Sequence, residues 1–205
     1  MVDEHPLARE GLRCILEDVP GLAVSGEAAT KAEALKAVSE NNFDIVLLGL
    51  LLPDSRGFEC LKEIKALRPS LPVLVISALS EKDYGVRALR AGASGYVDKR
   101  RAAGEIVGAI LTVIWGRKYI GPSLAERLAW SLEKSLTGNL HEMLSDREFE
   151  VMRLIVAGRR LKDIAYELSL SIKTISTYRS RILEKLDLES NAAPIRYAME
   201  NGLAD

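Results

Sequence analysis

Cysteine is nearly missing from this sequence: Cys14 and Cys60 are the only two, too few to frame a disulfide-stapled secreted fold. Both fall in apolar-periodic helical segments, where they are expected as buried, reduced thiols of a cytoplasmic protein. Histidine is equally scarce, and with His5 and His141 alone and no cysteine pair at metal spacing the chain offers no zinc or haem signature. The longest apolar run, residues 45–53, is about half of what a membrane span needs, and no basic-then-apolar leader opens the chain. Charge of one sign is lacking too. Lys and Arg number 28 against 29 Asp and Glu, a net charge of -1, so any nucleic-acid signal has to come from local clustering. No Gly-x-Gly-x-x-Gly turn follows a strand, and no P-loop or Ser-centred nucleophile elbow occurs, which argues against an enzyme.

What is present suits two small domains. The 205 residues are 48% hydrophobic and 28% charged, the profile of an ordinary globular chain. Up to about residue 116, amphipathic helices alternate with short apolar runs. Leu12, Ile15, Leu16 and Val19 recur at helical spacing; residues 23–28 read as a strand and 30–41 as a helix. Ile45-Val46-Leu47-Leu48 has the continuous apolar character of a strand covered on both faces. Helix 57–67, strand 73–77, helix 81–90, strand 95–98 and a final helix carrying Ile106, Ile110, Val113 and Ile114 complete the series. Such alternation predicts an α/β fold with a doubly wound parallel sheet and a ligand site at the carboxyl ends of its strands.

Residues 117–143 read as a linker, with a helix start at Gly121-Pro122-Ser123, a helix over 124–136 and a break at Thr137-Gly138-Asn139. From 144 to 205 the pattern is all-helical. Ser145 followed by Glu148 forms the reciprocal cap of a helix that stops at Gly158. A short helix over 162–168 leads to Ser171, the cap of a third helix reaching about residue 186. Ile175, Ile182, Leu183 and Leu186 share one side of it, leaving Lys173, Ser176, Thr177, Arg179, Ser180 and Arg181 on the outer side. Two helices joined by a tight turn, the second one basic, fit the major groove of double-stranded DNA. Lys and Arg neutralise phosphate, while Ser and Thr can bond base edges.

The run Leu144-Ser145-Asp146-Arg147-Glu148, Gly158, Lys162-Asp163-Ile164-Ala165, Leu170 through Tyr178 and Ile182-Leu183-Glu184-Lys185-Leu186 resembles the LuxR-type helix-turn-helix. That resemblance implies that Ser176, Thr177 and Ser180 face bases and that Lys173, Thr174 and Arg179 lie near the DNA backbone; Arg181 and Lys185 complete the expected basic set. It further implies that the last helix, 191–200, dimerises the protein on a two-fold operator in promoter DNA.

Residues 1–116 resemble the receiver domain of two-component response regulators, through Asp3-Glu4-His5-Pro6-Leu7, Pro53, Gly57, Ser77-Ala78 and Ala91-Gly92-Ala93-Ser94-Gly95-Tyr96 with Lys99. The pairing of the two halves places the chain in the NarL/FixJ group. By that resemblance Asp3 and Glu4 match an acidic pair that helps to hold Mg2+, Ser77 a phosphoryl-binding hydroxyl, Tyr96 an aromatic switch and Lys99 a charge partner. The phosphate-accepting aspartate falls on Gly49. Glycine can form no acyl phosphate, and a magnesium site reduced to Asp3 and Glu4 is expected to be weak, so no cofactor is expected to be required. Two other carboxylates, Asp44 and Asp54, flank the strand without sharing the lost geometry.

Only Met1 and Val2 precede Asp3, where receivers have a buried central strand; two unpaired inner edges are the expected result, met by destabilisation, a neighbouring chain or a shifted register. The functional expectation is a dimeric, cytoplasmic regulator that binds DNA independently of phosphorylation. The alternative is an inert receiver that pairs with or sequesters another regulator, with a sensor kinase as a further partner.

Overall fold

Three apolar runs pair into a parallel sheet in the computed structural model, which describes residues 1–55, 57–135, 140–188, 193–201 and 203. β1 (Val46–Leu48), β2 (Val73–Ser77) and β3 (Gly95–Asp98) lie side by side in that order, with Leu47 opposite Leu74 and Val75 opposite Tyr96. Every residue in them is buried because helices cover both faces, which is why residues 46–48 and 73–76 are continuously apolar. The pleat still sorts them. Val46, Leu48, Val73, Val75 and Tyr96 pack with α2 (Lys31–Glu40), α3 (Gly57–Leu67) and α4 (Glu81–Arg90). Leu47, Leu74, Ile76 and Val97 pack with α1 (Pro6–Glu17) and α5 (Ala103–Ile114).

The stretch 23–28, expected as a strand, pairs only at Ala28, which bridges to Val2; Val2 bridges in turn to Leu48. Val2 N donates to Leu47 O and Gly49 N to Val2 O, both at 2.8 Å, while Ala28 N donates to Met1 O at 2.9 Å and Asp3 N to Ala28 O at 3.0 Å. A ladder exists only where a partner runs alongside, and 23–28 has one only beside Met1 to Asp3. The chain thus bridges its own inner edges at the end that carries the candidate site. A second departure concerns Cys14, which is exposed on α1 and not buried as expected. Cys60 is fully enclosed, and burial pushes its thiol up to about 12.

After α5 the chain turns through Gly116, whose φ of 77° is natural to glycine. It runs back along β3, where Tyr119 N donates to Ser94 O at 2.9 Å, and enters α6 (Pro122–Ser135) with proline in its first turn. Leu124 is 0% exposed and belongs to the apolar cluster that holds Tyr96. Gly85 makes room for it: a Cβ there would lie 2.7 Å from Leu124 Cδ1. Ser123 Oγ donates to Glu81 Oε2 at 2.9 Å beside it. The chain divides into two compact units, Met1–Trp130 and Ser131–Asp205, so residues 117–130, read from sequence as part of a linker, pack with the sheet.

The second unit is helical. α7 (Asp146–Val156) opens on the expected reciprocal cap, Ser145 N donating to Glu148 Oε2 at 2.7 Å and Glu148 N to Ser145 Oγ at 3.3 Å. α8 (Leu161–Glu167) and α9 (Ile172–Lys185) follow, joined through Ser169, whose φ is 53°; α10 (Ala193–Glu200) closes the series. Phe149, Met152, Ile164, Ile175 and Ile182 form the buried interior of this unit. The expected break at Thr137-Gly138-Asn139 and the expected start of the last helix at Asn191 lie outside the described residues. No helix among the described residues is long and apolar enough to cross a membrane.

Glu148 also accepts from Lys185 Nζ at 2.7 Å, tying the start of α7 to the end of α9. Burial works to raise its carboxyl, but bonds from Lys185 and Ser145 outweigh it and hold the group below the ordinary 4.5. A depressed carboxyl contributes stability at pH values above the unfolded value and loses it as pH falls through the folded one. Glu148→Gln is therefore expected to cost about 1–2 kcal/mol at neutral pH. It should also flatten the loss of helicity below about pH 4.5 in a circular-dichroism titration. A variant with the parent's acid profile would show that this carboxylate is not the titrating group.

Candidate regulatory pocket and nucleic-acid interface

The ends of the strands bring Asp3, Gly49, Ser77 and Lys99 together, as the parallel topology requires. Lys99 N donates to Ser77 O at 2.9 Å, which places its side chain over the pocket. Lys99 Nζ then forms an ion pair with Asp3 Oδ2. Asp3 is 3% exposed, and its other oxygen accepts from His5 N at 3.1 Å. The carboxylate stands against Gly49: a Cβ there would lie 2.7 Å from Asp3 Oδ2 and 3.2 Å from Val2 O. The room where a side chain at position 49 would begin is thus taken by the Asp3 carboxylate and the Val2 carbonyl.

Ser77, 2% exposed, accepts from Leu79 N at 3.2 Å. Tyr96 is fully buried and donates its hydroxyl hydrogen to Leu79 O at 2.8 Å. Burial is the main cause that holds its phenol well above the ordinary range. Glu4, with 32% of its side chain exposed, lies 3.8 Å from His5 Nδ1. This donor set does not fit magnesium, since Asp3 is committed to Lys99 and the dication asks for several oxygens in octahedral array. Among the described residues no cluster of three His, Cys, Asp or Glu side chains could hold a metal ion.

Asp54 and Asp44 have other places in the fold. Asp54 accepts Lys31 N at 2.8 Å on one oxygen and Ala32 N at 3.0 Å on the other, capping α2. Desolvation works against its charge, but these backbone bonds prevail and keep it ionised below the usual range. Its cap role was not legible in the sequence, where it stands 23 residues from Lys31. Asp44 precedes β1, at the opposite end from Gly49.

On α9 the structure separates the expected contacts into three kinds. Lys173, Thr177, Ser180 and Arg181 are exposed. Ser171, Lys173, Thr174, Thr177, Tyr178 and Arg181 line a shallow cleft of about 330 Å3. Ser176 and Arg179 are half-buried, and Arg179 Nε is enclosed without a hydrogen-bond partner among the described residues. Arg179 thus leans toward the packed side of α9 and not the outer side expected for it, because position 179 lies nearer Ile175 and Ile182 around the helix. Lys185 departs further: its amine is used by Glu148, so it serves the unit's packing before any ligand. Capping glutamate and lysine are 37 positions apart, and no local pattern announces the pair.

Comparison with known proteins agrees with both halves. Residues 1–111 match the response regulator receiver domain, and residues 142–198 match the luxR family of bacterial regulatory proteins. The chain is 34% identical to the response regulator GacA of Pseudomonas viridiflava over 206 residues, covering 100% of this chain and 96% of the relative. Among solved structures it resembles RcsB from Salmonella enterica serovar Typhimurium bound to a promoter, with 28% identity, a TM-score of 0.60 and coverage of 96% of this chain and 94% of that one. It likewise resembles a structure of two RcsB dimers bound to two parallel DNAs, with 27% identity, a TM-score of 0.60 and coverage of 97% and 95%. These matches place it among regulators and not among enzymes. The chain belongs to the two-component response regulators, as a receiver domain joined to a luxR-family helix-turn-helix domain.

Proposed function

We propose that this protein binds double-stranded promoter DNA as a homodimer through α9, and that it does so without phosphorylation at the usual receiver position. The carrying observation is Gly49, which faces an ion pair between Asp3 and Lys99 in place of a reactive carboxylate. Lys99 already has the negative partner that a phosphoryl group would supply, and Tyr96 is already inside the core. Asp54 is held as a helix cap. Magnesium has no part in this reading, since the donor set left around Asp3 does not suit it.

DNA binding is supported by the exposed cationic and hydroxyl row of α9 and by the promoter-bound relative RcsB. The RcsB dimers on DNA support a two-fold arrangement, in which each protomer's α9 takes one half-site. Two free thiols suit the reducing cytoplasm as the place of action.

The test is a titration of the full chain against a pool of promoter fragments, with and without acetyl phosphate and Mg2+. Specific binding that is the same in both arms is the expected result. Binding that appears only with the phosphodonor would mean that another residue carries phosphate. Association with a second regulator and no specific DNA binding would favour the sequestering role.

A further inference from the structure

Helical spacing sets Lys173, Thr177, Ser180 and Glu184 in one row along α9, all four exposed and opposite the buried Ile175, Ile182 and Leu186. A serine or threonine hydroxyl has one hydrogen to give and two lone pairs to offer. In this row the hydrogens are already given: Thr177 Oγ1 donates to Lys173 O at 3.0 Å, and Ser180 Oγ donates to Ser176 O at 3.1 Å. What the two side chains present outward is therefore lone pairs, with the threonine methyl beside them. Glu184, when ionised, is likewise an acceptor.

We infer that Thr177 and Ser180 read the amino-versus-keto character of the base they face, accepting adenine or cytosine and rejecting guanine or thymine on the contacted strand. The inference rests on the reading of α9 as the DNA-contacting helix. In the major groove adenine offers its N6 amino hydrogens and cytosine its N4 amino hydrogens, whereas guanine offers O6 and N7 and thymine O4, all acceptors. A keto edge would set lone pair against lone pair. Turning the hydroxyl round to meet it forfeits the bond to the helix carbonyl and leaves that carbonyl without this donor. Lys173, at the amino end of the row, has only donors, so the row changes sign along its length: keto edge or phosphate at Lys173, amino edges at Thr177 and Ser180. Purine and pyrimidine are thus not what these two positions distinguish.

The experiment is selection of sites from a randomised duplex pool by the purified full chain, in parallel with Thr177→Val and Ser180→Ala. Valine keeps the branched shape and methyl and removes the oxygen. In each half-site the position facing Thr177 and the position facing Ser180 should each favour adenine and cytosine over guanine and thymine by roughly tenfold in the parent, as one hydrogen bond kept or lost allows. Thr177→Val should bring the ratio at the position Thr177 faces close to one and leave the one facing Ser180 standing, and Ser180→Ala the reverse, with the salt dependence of binding unchanged, since no phosphate contact is removed. Replacing the adenine that faces Thr177 by purine, which lacks the amino group, should weaken the parent by a similar factor and leave Thr177→Val unaffected. Guanine or thymine preferred at either position, or a Thr177→Val protein that keeps the amino preference at the position Thr177 faces, overturns the inference while DNA binding stands. A parent without sequence preference at any position would overturn the reading of α9 itself, and this inference with it.

Discussion

Leu124→Ala is expected to destabilise the receiver unit by about 2–5 kcal/mol, the loss measured for leucines that leave a cavity in a core that cannot close. Leu124 is 0% exposed and shares its apolar cluster with Tyr96, Phe58 and Leu61. Its neighbour Gly85 has no side chain to move into the void, and α4 is held from the other side by its contacts with β3. Since the chain has two units, a single unfolding midpoint would blur the effect. Hydrogen exchange of the full chain reads it locally: amides of α4 and β3 should lose protection, while those of α7 and α9 keep theirs. Gly85→Ala offers a partner for a double-mutant cycle, because its Cβ would meet Leu124 Cδ1 at 2.7 Å. It should cost less in the Leu124→Ala background than alone. Additive costs, or undiminished protection of α4, would mean that the start of α6 is not seated in the receiver core.

Gly49→Asp is expected to make the protein take a phosphoryl group from acetyl phosphate, which the unaltered protein is expected not to do. The new carboxylate oxygen would attack phosphorus, and acetate would leave with the bonding electrons. Ser77 and Lys99 are already in place at the strand ends. The substitution is not free of strain. Its Cβ begins 2.7 Å from Asp3 Oδ2, so Asp3 must turn, and it is held by Lys99 and by His5 N. Two carboxylates, Asp3 and the new one, would then crowd one pocket and repel each other. The variant should accordingly be less stable than the parent without a divalent cation and regain stability as Mg2+ is added, whereas the parent should show no such dependence. Phosphoryl incorporation followed by intact mass, with thermal unfolding at two magnesium concentrations, gives both readouts. Incorporation into the unaltered protein would contradict the account of the pocket given above.

Much of the fold was legible because its signals are local. The runs at 46–48 and 73–76 are continuously apolar, as suits a strand covered on both faces, while 95–98 is announced by the turn-rich residues before it, and the sheet contains all three. Ser145 with Glu148 and Ser171 with Thr174 announce helix starts through bonds that reach only three residues along the chain. Stretch 23–28 failed as a strand because local composition does not supply a pairing partner; it bridges only at Ala28, beside Val2. Cys14 failed as a buried thiol because helical periodicity sets which residues share a face without saying how far the neighbouring helix reaches over it.

The site divides along the same line. Identity alone decided that position 49 holds no nucleophile, and that position 177 carries a branched hydroxyl, since covalent structure bounds what chemistry a side chain can perform. Tertiary structure decided what the remaining groups do with each other: that Lys99 pairs with Asp3, that Asp54 closes the end of α2, that Lys185 is taken by Glu148 and that Leu124 fills the space left by Gly85. Each of these is a contact between residues 22 or more positions apart, and which distant groups meet depends on how helices and strands pack against one another, a property of the assembled core that no short window of sequence contains.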